Sequence, residues 1–213
     1  KGHCSPALYA TLARRGFFAE SDLATFRKID SPLQGHPDKN KVPGVDMTTG
    51  SLGQGLSVAC GMAYASKLDR AGCRVYCLLG DGELDEGQVW EACLTASKYK
   101  LDNLCVIVDN NHLQIDGTIE EVAGMKHIYE KFRAFGFEVI SIHGNDILDI
   151  LNAFTLAKNV KGRPTVILAN TTKGKGVSFM ENKVEWHGKA LNEEEYKLAM
   201  QELGGEDHEE NCN

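Results

Sequence analysis

Residues 75–92, VYCLLGDGELDEGQVWEA, pass from a short apolar run through a Gly-Asp-Gly turn into a helical pattern. A second stretch built the same way, NLCVIVDNNHLQIDG at 103–117, ends in its own polar cluster one helix later. Short, almost wholly apolar strands alternating with amphipathic helices indicate a parallel sheet covered on both faces. Outward from this pair, FEVISI at 137–142 and TVILANT at 165–171 read as further strands, with helices expected over 87–99, 123–136 and 146–159. A small-residue helix over 52–68 precedes them, and helices over 5–15 and from Ser21 as an N-cap open the chain. The expected fold is a single three-layer α/β domain over 1–213, a mainly parallel sheet with helices on both faces.

Between the opening helices and the first strand lies SPLQGHPDKNKVPGVDMTTGSLGQG at 31–55, with three of the five prolines of the chain. Loops of this length are uncommon in compact domains unless they bind something, the alternative being a surface excursion. The chain turns acidic from Asn192, and 204–213 is expected to be a disordered acidic tail.

Composition excludes several function classes. The net charge of −7 sets most of the surface against nucleic acid and anionic membranes, while leaving room for a local cationic pocket. No run approaches the roughly 20 apolar residues that a membrane span needs, and no signal peptide opens the chain, so a cytoplasmic location is expected. The chain opens at Lys1 without a methionine and is expected to be truncated at its N-terminus. Its seven cysteines (Cys4, Cys60, Cys73, Cys77, Cys93, Cys105 and Cys212) lack paired metal-ligand spacing and read as reduced core thiols.

In an open parallel sheet, ligands gather at the carboxyl ends of the strands, where helix N-termini present unpaired N–H groups. Gly80-Asp81-Gly82 and Asp109-Asn110-Asn111 both stand at such ends. If the strands are neighbours, the Asp81 carboxylate and the Asn111 amide oxygen face one point. That pair is too small for calcium, which takes about six to eight oxygens, but suits Mg²⁺, which fills its octahedron with water and substrate phosphates. A diphosphate is then the missing ligand, and glycines beside Asp81 let backbone N–H groups reach it. Neither G-x-G-x-x-G after a strand nor a P-loop is present, and a GDG tripeptide alone also fits an ordinary sharp turn.

With KGH at 1–3, GHP at 35–37, TTGSLGQG at 48–55 and EWHG at 185–188, these stretches resemble the transketolase family, in order and over nearly the whole chain. The likeness is to the diphosphate-binding module of the thiamine diphosphate-binding fold, as the N-terminal subunit of a split transketolase. It implies thiamine diphosphate and Mg²⁺ as cofactors, with Asp81, the Asn111 side chain and the Leu113 carbonyl as metal ligands. It implies that His3 and His187 contact the diphosphate or the reaction centre, and that His36 contacts the hydroxyls of the donor sugar. The implied cofactor-binding set adds Gly50, Leu52, Gly53, Gly80, Gly82, Glu83 and Ile115, and Glu86 matches a carboxylate in communication between two paired cofactors.

The same resemblance implies a separate pyrimidine-module subunit, self-association to an α2β2 assembly and sugar phosphate substrates for two-carbon ketol transfer. Ser51 stands where many full-length transketolases have proline, and one further family histidine would lie upstream of Lys1. A 1-deoxyxylulose-5-phosphate synthase or the α-subunit of a 2-oxo acid dehydrogenase shares the cofactor motif, but GHPD and EWHG favour transketolase. A non-catalytic assembly subunit would have no need of Asp81, Asn111 and three placed histidines. His112, His127, His143 and His208 read as ordinary histidines; Lys173 and Lys175 read equally as phosphate ligands or solvated loop residues.

Overall fold

The computed structural model describes residues 1–204. The acidic tail expected at 204–213 falls, beyond Gly204, outside the described residues, as do Cys212 and His208. Four parallel strands form the central sheet, β1 (Val75–Gly80), β2 (Leu104–Asn110), β5 (Glu138–His143) and β6 (Thr165–Asn170), in the spatial order β1-β2-β6-β5. Two short strands, β3 (Leu113–Gln114) and β4 (Gly117–Thr118), make an antiparallel hairpin beyond the tip of β2.

The period of two along each strand sorts its side chains between two cores. Cys77, Leu79, Val106, Val108, Val166 and Leu168 face α2 (Gln54–Leu68), α3 (Gly87–Lys98), α4 (Ile119–Ala123) and α5 (Ile128–Ala134). Cys105 and Ile167 face the other way, against Ala153 and Ala157 of α6 (Ile147–Asn159), which Asp146 caps through the Asp149 N–H. Cover on this second face stops short of the edge, since Tyr76 and Leu78 of β1 are 47% and 41% exposed.

A third, smaller core explains why the 31–55 segment is ordered without regular structure. Leu33, Val42 and Val45 are buried against Tyr9 and Leu12 of α1 (Ser5–Arg14). The Tyr9 hydroxyl donates to the Gln34 carbonyl at 2.8 Å and the Ser5 hydroxyl to Gly35 at 2.7 Å, fixing the backbone that leads into His36.

Two helix expectations are corrected. The segment after Ser21 is a 3-10 turn, Glu20–Thr25, rather than an α-helix. The helix expected over 123–136 is confined to α5, Ile128–Ala134, because Gly124 and His127 take left-handed conformations, and Ala123 instead ends the preceding short helix α4. The acidic stretch from Asn192, given no element from the sequence, holds a helix, α7 (Glu193–Glu202), because Asn192 and Glu195 form a reciprocal capping box. Of the cysteines, Cys60, Cys77, Cys93 and Cys105 are buried free thiols, but Cys73 is exposed and Cys4 only partly buried. No helix among the described residues is long and apolar enough to cross a membrane.

Candidate active site

β1 and β2 pair in the register Gly80 to Asp109, so Asp81 and Asn111 leave adjacent strands side by side. Asp81 is 2% exposed; its Oδ1 accepts from the Gly82 N–H at 2.9 Å and its Oδ2 from the His112 N–H at 2.5 Å. The carboxylate is thereby fastened to the loop that carries Asn111, whose own Oδ1 accepts from the Leu113 N–H at 3.0 Å. A carboxylate or amide oxygen with one N–H donor keeps a further lone pair for another ligand.

Burial pushes the Asp81 carboxyl above the usual range, and the charge of Asp109 adds to this, against the pull of the two N–H donors and Lys1. A buried carboxylate without a compensating cation is costly, and hard oxygens at a strand tip are the donors that a divalent ion selects. Among the described residues, no group of three or more His, Cys, Asp and Glu side chains is placed to hold a metal. A cation here must therefore draw on neutral oxygens, which the Asn111 amide and Leu113 carbonyl can supply, and on oxygens of a bound ligand. The residues present fit the Mg²⁺ and diphosphate that the sequence implies.

Backbone surfaces, rather than side chains, line the approach. A Cβ on Gly2 would stand 2.4 Å from the Gly50 nitrogen, and one on Gly50, whose φ is 139°, would meet the His36 ring at 2.7 Å. Only glycines let the KGH and TTGSLGQG segments lie this close. Glu83, 6% exposed, is turned inward: Oε1 accepts from the Gly53 N–H at 3.0 Å and Oε2 from the Gly80 N–H at 3.1 Å. It ties the α2 entry loop to the tip of β1, a scaffold placement that its position in the GDGE turn did not reveal.

The three histidines singled out in the sequence converge from three distant segments. His3 Nδ1 lies 3.1 Å from His187 Nε2, and the His3 ring centroid is 5.3 Å from that of His36 and 5.3 Å from that of His187. Burial lowers the pKa of His187, and Lys173, His3 and Lys1 lower it further. His187 therefore stays neutral below the pH at which an ordinary imidazole protonates. Removing one of those cations with Lys173→Met is expected to move the His187 titration to higher pH, followed by NMR of its imidazole; an unmoved or lowered titration contradicts the placement.

Lys173 and Lys175 separate cleanly. The Lys173 ammonium is half-buried and depressed by burial and by Lys1, with Asp109 and Asp81 acting in the opposite sense. Lys175 instead pairs with Glu181 at 3.3 Å on the surface. Three residues not assigned from the sequence complete the wall: the Asp109 carboxylate is bound by the Lys1 ammonium and by the Thr171 hydroxyl. Burial pushes the Asp109 carboxyl up, but Lys1, Thr171 and Asn111 together hold it below the usual range. The available signal was an acid closing an apolar parallel strand, where it demands a counterion. Lys1 thus joins the KGH segment to the strand tips, and the Val184–His187 turn packs against Leu113–Gln114, making one site of the two groups.

Other expected residues lie at the margin. Ile115 is 57% exposed at the hairpin tip, Glu86 is exposed with its Cβ facing Gly53, and Leu52 is partly buried in the turn before α2.

Residues 1–211 match the family model for the transketolase thiamine diphosphate binding domain. The chain belongs to the transketolase family. An apulose-4-phosphate transketolase subunit of Phocaeicola vulgatus is 43% identical over 203 residues, which is 95% of this chain and 72% of that protein. The 6-deoxy-6-sulfo-D-fructose transketolase subunit SqwG of a Clostridium species is 46% identical, over 95% of this chain and 74% of its own length. Human transketolase is 48% identical over 208 residues, but this transketolase-family domain spans only 32% of it. The crystal structure of Campylobacter jejuni transketolase superposes with a TM-score of 0.90 at 38% identity, covering 96% of this chain and 33% of that one.

Proposed function

We propose that this domain forms the diphosphate-binding half of a transketolase active site, which moves a two-carbon ketol unit from a ketose phosphate to an aldose acceptor. A pyrimidine module on a separate subunit supplies the other half, two copies of each chain make the assembly, and the complex works in the cytoplasm. The observation that carries this reading is the junction of the Asp81–Asn111 strand tips with the His3, His36 and His187 cluster through Lys1 and Lys173.

When bound, thiamine diphosphate supplies the carbon nucleophile and electron sink needed to cleave a ketose next to its carbonyl. Asp81, the Asn111 amide and the Leu113 carbonyl would hold Mg²⁺, and the Gly82 N–H would face a phosphate oxygen. Lys173, half-buried within the field of Asp109 and Asp81, adds positive charge where the diphosphate would lie. Neutral His187, within hydrogen-bond distance of His3, can accept a proton from a sugar hydroxyl and return it, while His36 orients a neighbouring hydroxyl.

Purified chain supplied with thiamine diphosphate, Mg²⁺, xylulose 5-phosphate and an aldose phosphate is expected to turn over only when the pyrimidine-module subunit is added. Full turnover by this chain alone, or none with the partner and cofactors present, contradicts the assignment.

A further inference from the structure

We infer that His112 is a positioning residue for the cation site, acting through a left-handed backbone rather than through its imidazole chemistry; the inference rests on the function proposed above. His112 stands between Asn111 and Leu113, two of the residues suited to hold the ion, and has φ of 63°. The left-handed region crowds the Cβ of any L-residue against the backbone, so a non-glycine side chain persists there only where its surroundings hold it. Here they do so on both sides of the Cα. The His112 N–H donates to Asp81 Oδ2 at 2.5 Å, and the His112 carbonyl accepts from the Ile119 N–H at 3.1 Å.

The ring is braced as well. Asn110 Nδ2 lies 3.5 Å from His112 Nε2 and donates to Asn170 Oδ1 at 2.8 Å, while Asn170 Nδ2 donates to the Ser141 hydroxyl at 3.1 Å and the Ile142 carbonyl at 3.2 Å. This polar ladder crosses β2, β6 and β5 and ends on the one residue that reverses the chain between Asn111 and Leu113. Held in this way, His112 aims its N–H at Asp81 and sets the path of the chain from Asn111 to Leu113, whose N–H donates to the Asn111 amide oxygen. In a right-handed conformation the same sequence would carry Leu113 away from Asp81.

The test is a substitution series at His112, made in the chain together with its pyrimidine-module subunit. Calorimetry would follow thiamine diphosphate binding across a Mg²⁺ titration, and the thermal midpoint would be read without cofactor. His112→Ala loses the brace and keeps the crowding, and is expected to weaken Mg²⁺-dependent binding by about 10- to 100-fold, the range for lost outer-shell support of a metal site. His112→Gly loses the same ring but adopts the left-handed region freely, so it should recover most of that loss; β-branched His112→Val should be the weakest. Affinity in the order His and Gly, then Ala, then Val supports the inference. Glycine no better than alanine, or all variants binding like wild type, overturns it while the proposed function stands. Wild-type protein that binds no cofactor overturns both. A merely structural role would lower the thermal midpoint without this ranking of affinities.

Discussion

Replacing Asp81 with asparagine is expected to weaken Mg²⁺-dependent thiamine diphosphate binding by more than about 100-fold, beyond the usual loss for an outer-shell partner. The thermal midpoint of the cofactor-free protein should stay level or rise. Both expectations follow from the placement of the carboxylate. Burial raises its pKa in the folded chain, so its contribution to stability is present below the unfolded pKa and is lost as pH rises through the folded one. At neutral pH the cofactor-free protein therefore carries the cost of a desolvated charge that a bound cation would offset. Asparagine removes that cost, although its amide nitrogen can no longer accept one of the two N–H donors. Calorimetry paired with thermal unfolding checks the variant. Undiminished binding removes Asp81 from the ligand set, and collapse of the fold would mean that the carboxylate serves structure.

Glu83→Ala should give the opposite signature. Its carboxylate joins the Gly53 and Gly80 N–H groups in a buried setting, and truncation leaves both donors unpaired. A loss of about 3 kcal/mol is expected from two such bonds, which for a domain of this size lowers the thermal midpoint by roughly 6–12 °C. Glu83→Gln, retaining one acceptor, should fall between wild type and alanine. A midpoint for Glu83→Ala within about 2 °C of wild type contradicts the clamp. The two neighbouring acids of one turn are thus separated by measurement, Asp81 by affinity and Glu83 by stability.

The parallel sheet was legible because its strands are short, apolar and interrupted by helical periods, and because Gly80 and Asp109 close two of them with polar tips. The helix break at Gly124 was harder to read, since Met125 and Ile128 continue an apolar pattern across it while the backbone turns left-handed. α7 escaped notice because its charge obscured the Asn192 and Glu195 capping box. At the site, His3, His36 and His187 could be named from their tripeptides, but their mutual contact depends on α1 gripping the 31–55 loop and on the turn at 184–187 folding back. The inward turn of Glu83 and the choice of Lys1 and Thr171 as partners for Asp109 are products of tertiary packing; the strand pattern signals only that Asp109 needs a counterion.

Mn²⁺ in place of Mg²⁺ offers the most direct measurement, through its anomalous scattering in crystals of the chain with thiamine diphosphate and its partner subunit. The expected result is one Mn²⁺ bound by the Asp81 carboxylate, the Asn111 amide oxygen and the Leu113 carbonyl, with diphosphate oxygens completing its shell. An ion elsewhere, or a diphosphate seated away from these strand tips, would contradict the shared cation site.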